Sequence, residues 1–202
     1  WESTAVYYRL LNEGVRDRLG GLHSADLLLR SFDFDEIAAM QSAGDWARAG
    51  ETLAHAARGL EAAGACCILI CTNTMHKVAD AVTAAIDIPL LHIADPTAKA
   101  IKARGLKRPL LLATRYTMEQ DFYRGRLATA HGLDPITPDA ADRAVVHDVI
   151  YNELCRGVIS APSKAAYLAI VETARRAGAD SVIFGCTEIG LLLSQDDLIE
   201  PA

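Results

Sequence analysis

No run of apolar residues in this chain approaches the roughly 20 that a membrane-crossing helix requires, and no lysine- or arginine-rich run interrupts its acidic balance. With 20 basic against 26 acidic residues and a net charge of −6, nucleic acid is excluded as the main partner, and no membrane role is expected. Cysteines are sparse and odd in number: Cys66, Cys67, Cys71, Cys155 and Cys186. A disulfide framework is dense and even-numbered instead. These five form no CxxC pair, and no His, Asp or Glu stands beside them at metal-ligand spacing. A redox protein and a metal site both lose their support, and a reduced, cytoplasmic setting is the simplest expectation. The glycine-rich dinucleotide fingerprint is missing, as is a lysine motif for a pyridoxal Schiff base, so no cofactor is expected.

What is present is the balance of a globular protein, 51% apolar and 23% charged over 202 residues, enough for one large domain or two compact ones. Short apolar runs at Ala25–Phe32, Cys66–Cys71, Pro89–Ile93, Pro109–Ala113 and Ser181–Gly185 carry no polar alternation. That pattern suits parallel strands buried on both faces. Helical patterns lie between them, including Asp45–Ala63, Met75–Ala85, Pro96–Ala103, Thr117–His131, Asp142–Leu154 and Ser163–Ala177. Such alternation predicts an α/β fold with a parallel sheet. Gly64 and Gly178 read as glycines just past helix ends, and Asp95-Pro96 as a cap followed by a first-turn proline.

Two segments echo one another: Ile68-Leu69-Ile70-Cys71-Thr72-Asn73-Thr74 and Val182-Ile183-Phe184-Gly185-Cys186-Thr187-Glu188. Both read strand, cysteine, threonine, helix start, which places one thiol at the carboxyl end of each strand, where open α/β sheets bind ligands. A helix N-terminus there is expected to stabilise thiolate, with Thr72 and Thr187 as caps or ligand donors. Two such thiols on opposite faces of a carbon can invert it without a cofactor, one removing a proton and the other returning it. The site must exclude water and surround a carboxylate with donors, a task suited to Asn73, Thr74, Thr114 and Thr187.

At these residues the sequence resembles the aspartate/glutamate racemase superfamily, and within it the bacterial amino-acid racemase branch. The matching segments are Trp1-Glu2-Ser3-Thr4, Leu19-Gly20-Gly21-Leu22-His23-Ser24, Cys71-Thr72-Asn73-Thr74-Met75-His76, His92-Ile93-Ala94-Asp95, Thr114-Arg115-Tyr116-Thr117-Met118 and Phe184-Gly185-Cys186-Thr187-Glu188-Ile189-Gly190. The resemblance implies two flavodoxin-like parallel-sheet halves related by a pseudo-two-fold, with the active site in the cleft between them. The halves would be residues 1–93 and 94–186, with 187–202 returning to the first. It implies Cys71 and Cys186 as the acid/base pair, and Gln41, Thr72, Asn73, Thr74, Thr114 and Thr187 as substrate-binding residues. The activity implied is cofactor-independent racemisation of a small amino acid, for D-amino-acid supply or turnover. A homodimer is expected.

The chain departs from the family in two ways. Members carry a first strand ahead of the position of Trp1 and a helix beyond that of Ala202, so residues missing from both ends are expected. Some acid-specific relatives hold a cation four residues after the tyrosine matching Tyr151; Cys155 stands there, with Arg156 adjacent, which leaves a broader or neutral substrate range open. The rival activities are a maleate-type isomerase, a hydantoin racemase and a silent amino-acid-binding protein. Cys66 and Cys67 read as packing residues, and Cys155 as core or pocket. His76 and His92 read as structural groups, Glu188 as cap or substrate contact, Arg115 and Tyr116 as cleft or surface, and Trp46 as packing its helix on the sheet.

Overall fold

The computed structural model describes residues 1–199 and 201. It divides into two compact units, one of Trp1–Cys71 with Met75–His92 and one of Thr72–Thr74 with Ile93–Ala202. The second unit is built on two parallel strands, β1 (Pro109–Leu112) and β2 (Ser181–Phe184), paired from Pro109↔Ser181 to Leu112↔Phe184. A bridge from Leu110 to Ile136 occupies the other edge of β1. Helices α5 (Ala94–Ala103), α6 (Arg115–Glu119), α7 (Asp121–Thr129), α8 (Ala140–Asn152), α9 (Ala161–Arg176) and α10 (Ile189–Leu192) pack around this pair. Leu110, Leu111, Leu112 and Ala113 have no exposed surface at all. Coverage on both faces is why this stretch is uniformly apolar.

Polar clamps set the register. The Asp180 carboxylate accepts the backbone N–H groups of Lys107 at 2.7 Å and Arg108 at 2.8 Å, tying the entries of β1 and β2 together. Asp95 receives both Arg126 donors, at 2.7 and 2.8 Å, and meets His131 Nε2 at 2.8 Å. The Arg126 guanidinium holds the Asp95 carboxyl well below the usual carboxylate range. Asp95 therefore joins α5 to α7 rather than capping α5, which starts one residue earlier at Ala94. Gly64 and Gly178 do take positive φ after their helices, at 100° and 94°.

The first unit contains α1 (Glu2–Leu19), α2 (Phe34–Ala43), α3 (Trp46–Ala62) and α4 (Ala79–Thr83). Asp45 caps α3 by accepting the Arg48 N–H at 3.2 Å. Ala49, Leu53 and Ala57 of that helix pack into a core with Ile68, Met75, Val78 and Val82. Gly50 lets α3 and α4 approach closely, since a Cβ there would stand 3.1 Å from Ala81 Cβ. Trp46 lies partly buried against this core with the Lys77 ammonium 4.0 Å over its ring.

Several expected elements differ. Of the three strands expected in this unit, only an isolated Ile68↔Leu90 bridge forms among the described residues. Ala25–Phe32 forms no strand, and Leu27, Leu28 and Leu29 face solvent. An apolar run becomes a strand only when neighbouring strands accept its backbone groups, and here they are missing. The expected Met75–Ala85 helix is a 3-10 turn, Thr74–Val78, leading into α4. The expected Thr117–His131 helix is α6 and α7, broken at Gln120, whose backbone is extended. Among the described residues no helix is long and apolar enough to cross a membrane.

Gly185 closes β2 against β1. Its N–H donates to Leu112 O at 2.7 Å. A Cβ there would come within 2.8 Å of Ala113 Cβ and 3.0 Å of Leu112 O. Gly185→Ala is expected to destabilise the protein by about 1–3 kcal/mol through overpacking. That corresponds to roughly 2–4 °C of Tm per kcal/mol for a chain of this size. Thermal melts of the variant beside the wild type measure it, and an unchanged Tm refutes the close-contact argument.

Candidate active site

Cys186 follows Gly185 at the end of β2, so the tight approach to Leu112 fixes where its sulfur stands. It is half-buried and packs against the second unit's core. Its Sγ donates to Glu188 Oε2 at 2.7 Å, and Thr187 Oγ1 donates to the same oxygen at 3.0 Å. Burial first, and then the Glu188 carboxylate, push this thiol well above the ordinary range, against a smaller lowering by the Glu188 backbone N–H. The expected helix-end stabilisation of thiolate is thereby outweighed. The helix that follows is only Ile189–Leu192, and the dipole of a single turn is weaker than desolvation beside a like charge.

Tyr151 of α8 and Tyr167 of α9 lie near enough to Cys186 to feel its charge, and burial raises both phenols. Cys155 is a further neighbour and is exposed. His147 accepts the Arg115 backbone N–H at 3.3 Å and meets Tyr116 edge-to-face at 6.0 Å and Tyr151 at a tilt at 4.7 Å between ring centres. Burial, and then the Arg115 charge, lower its pKa. Arg115 thus sits over Tyr116, 5.8 Å from the ring centre, on the aromatic side of this site.

Cys71, in the first unit, is half-buried and reduced. Burial raises its thiol, while a hydrogen bond from Thr4 lowers it in part. Tyr7 of α1 lies close enough for the Cys71 charge to raise its phenol beyond the effect of burial. No full helix follows Cys71 directly, only the 3-10 turn at Thr74–Val78, so the expected dipole is weak here as well.

The remaining expected residues fall into separate groups. Thr74 and Thr114 do meet, Oγ1 to Oγ1 at 3.0 Å, and Thr117 joins them at 3.3 Å from each. All three hydroxyls are buried. Thr117 was reachable from sequence, since it lies three residues from Thr114 and so on the same helical face. Oδ1 of Asn73 is buried without a hydrogen-bond partner among the described residues, an expensive state for an amide oxygen unless something supplies a donor. Thr72 is exposed. Thr187 binds Glu188 rather than capping α10. Gln41 is buried and turned onto Met75 Sδ at 3.1 Å. Sequence reasoning did not single out Thr4, Tyr7 or Tyr167 beside the cysteines, although Thr4 lies inside the quoted Trp1–Thr4 segment, and it used Tyr151 only as a landmark.

His76 and His92 form a buried ring pair, centroids 4.4 Å apart. Cys66 is exposed, which corrects its reading as a packing residue; Cys67 is partly buried. No cluster of three or more His, Cys, Asp and Glu side chains fit to hold a metal ion occurs among the described residues.

Known proteins match this chain along its length. The sequence profile of the Asp/Glu/Hydantoin racemase family matches residues 1–200. The chain is 53% identical to a candidate Asp/Glu racemase of Yersinia pestis, whose crystal structure superposes with a TM-score of 0.93 over 100% of this chain and 87% of that one. It is 32% identical to an aspartate racemase homologue of Pyrococcus horikoshii, with a TM-score of 0.82 over 99% of this chain and 87% of that one. The aspartate racemase of Picrophilus torridus is 21% identical and shares the fold, with a TM-score of 0.58 over 75% of this chain and 62% of that one. The mixed α/β fold, the two Cys-Thr turns and this end-to-end match together place the chain in the Asp/Glu/Hydantoin racemase family, a family of isomerases.

Proposed function

We propose that the protein is a cofactor-independent amino-acid racemase in which Cys71 and Cys186 exchange a proton at the substrate Cα. The observation that carries the reading is that a chain of this racemase family has both Cys-Thr turns, each with a reduced, half-buried sulfur beside a hydrogen-bonding side chain. In this reading one sulfur, as thiolate, takes the α-proton from one face, and the other, as thiol, returns a proton to the opposite face. The fold that goes with it is two flavodoxin-like halves related by a pseudo-two-fold. The halves are residues 1–93 and 94–186, with 187–202 returning to the first.

Substrate recognition follows from the donors and acceptors. An ammonium group suits the unsatisfied Asn73 Oδ1. A carboxylate suits the hydroxyl cluster of Thr74 and Thr114, with Thr72, Thr187 and Gln41 as the further substrate-binding residues. Such donors stabilise the enolate-like charge that forms when the Cα proton leaves. Aspartate and glutamate are the amino acids in the descriptions of its relatives from Yersinia pestis and Pyrococcus horikoshii. Cys155 in place of a cation is the reason to include neutral amino acids among its substrates. Hydantoin racemisation is the reading to be separated from this one, because the family description includes it. D-amino-acid supply or turnover in a reducing cytoplasm belongs to the same proposal, since both thiols must remain unoxidised.

Each cysteine changed to serine is expected to abolish racemisation in a one-sided way. A hydroxyl is nearly isosteric with a thiol but does not ionise near neutral pH. Cys71→Ser and Cys186→Ser should each still exchange Cα hydrogen for deuterium in one enantiomer, opposite for the two variants, without inverting it. Deuterium uptake in heavy water, measured with chiral chromatography over a panel of amino acids and hydantoins, tests this. A serine variant that racemises at near the wild-type rate sinks the mechanism.

Activity is expected to survive dialysis against a chelator, and the pure protein to show no pyridoxal absorbance; activity lost to the chelator and restored by zinc overturns the cofactor-independent reading. The expected assembly is a homodimer, the commonest closed oligomer, and light scattering should give twice the chain mass of 21.7 kDa.

A further inference from the structure

A strand over Cys66–Cys71 would send Cys66 and Cys67 to opposite faces, because side chains alternate along extended backbone. Here both residues lie in a bend between α3 and the Ile68↔Leu90 bridge, and their side chains are hydrogen-bonded to each other. The bend is anchored at both ends. The Ala65 N–H donates to Leu60 O at 3.0 Å, and the Ile68 N–H donates to Pro89 O at 2.9 Å. Cys66 is exposed, Cys67 is partly buried, and both are free thiols. Two reduced sulfurs thus stand side by side at the surface, on a short stretch of backbone held from either side. The proposed racemase chemistry uses neither.

We propose that Cys66 and Cys67 form a vicinal dithiol site that captures a trivalent organoarsenical, with the arsenic bridging the two sulfurs. No peptide bond among the described residues is cis, and neighbouring Cα atoms across a trans peptide stand about 3.8 Å apart. A direct disulfide prefers Cα atoms about 4.4 to 6.8 Å apart, so joining these two sulfurs to each other is strained. A bridging atom removes the strain, because each sulfur bonds to arsenic while the two sulfurs stay at a non-bonded separation. In the capture step both S–H bonds and both bonds from arsenic to its oxide oxygen break, and two S–As bonds form. The two thiol protons leave with the oxygen as water. Arsenic remains trivalent, and nothing is oxidised or reduced.

The protonation of the pair favours this ligand over a metal cation. Burial first, then the Cys66 charge and the hydrogen bond with Cys66, push the Cys67 thiol above its ordinary range. A cation must displace thiol protons into solution, and alkylating reagents need the thiolate. Condensation with an arsenic oxide instead carries both protons away in the water that it forms. The other cysteines are differently placed. Cys71 has Thr4 as its hydrogen-bond partner, and Cys186 gives its S–H to Glu188. Cys155 is exposed and its charge reaches Cys186, so these two are the pair that a test must tell apart from Cys66 and Cys67.

The probe is phenylarsine oxide, added in equal amount to the folded full chain kept reduced by a phosphine and read by intact-protein mass spectrometry. The wild type is expected to gain one phenylarsenic group with the loss of two hydrogens. That adduct should survive excess glutathione, a monothiol, and be stripped by dimercaptopropanol, a dithiol. Cys66→Ser and Cys67→Ser each leave one sulfur, so the arsenical should be held about a hundredfold or more weakly, because the second bond no longer forms within the same molecule. Both variants should then lose the arsenical to glutathione. Cys71→Ser, Cys155→Ser and Cys186→Ser should keep the glutathione-resistant adduct. A wild type that takes no adduct, or loses it to glutathione, overturns the proposal. So does an adduct that persists in Cys66→Ser, or one that disappears in Cys155→Ser or Cys186→Ser. None of these outcomes bears on the racemase reading, which is decided by whether the Cys71 and Cys186 serine variants racemise.

Discussion

The parallel register of β1 on β2 is the constraint on which the surroundings of Cys186 depend. Asp180 pins the start of both strands through the Lys107 and Arg108 amides, and Gly185 pins the end by its bond to Leu112. Between them lie four fully paired positions, and at the open end stand Thr114 on one strand and Cys186 on the other. A slip by one residue would turn every side chain of β2 to the opposite face. Cys186 would then leave its place beside Glu188, Tyr151 and Tyr167, so the chemistry at this sulfur is a consequence of sheet register.

Pairing also explains which parts of the fold were legible in the sequence. Pro109–Ala113 and Ser181–Gly185 were readable as buried strands because each finds its partner within the chain and helices cover both faces. Cys66–Cys71 is just as apolar yet reaches only a bridge at Ile68 among the described residues, while Ala25–Phe32, interrupted by Asp26, Arg30 and Ser31, forms no strand. Local composition reports a capacity for burial, whereas strand formation depends on neighbours distant in sequence. Helices were more legible because their hydrogen bonds are internal. Asp45 and Gly64 bracket α3 much as the pattern implied, but the extended backbone of Gln120, which divides α6 from α7, has no glycine or proline to announce it.

The site was legible to different depths for a similar reason. Cys71, Cys186, Thr74 and Thr114 could be picked out because their motifs repeat or punctuate strand ends. The meeting of Thr74 with Thr114 across 40 residues, and the addition of Thr117, required the fold. Tyr7 and Tyr167 carry no local signal, since an aromatic residue on a helix reads equally as core. Gln41, matched by position, is buried with its amide on the Met75 sulfur.

The sulfurs themselves show how burial and charge compete with helix position. Strand-to-helix geometry favours thiolate at both places, and on that basis alone both cysteines would be bases. Here the element after Cys71 is a 3-10 turn and the helix after Cys186 is a single turn, so few aligned peptides contribute. Desolvation then dominates at both sulfurs and raises both thiols. What distinguishes them is the partner. Thr4 is a hydroxyl that can donate to Cys71 and ease its ionisation, while Glu188 is a carboxylate that accepts the Cys186 S–H hydrogen bond and opposes ionisation. A two-base reaction requires one sulfur charged and the other protonated at the moment of proton removal. In the proposed two-base reaction, neighbours of opposite hydrogen-bonding sense would supply that asymmetry even where the two Cys-Thr turns look alike in sequence.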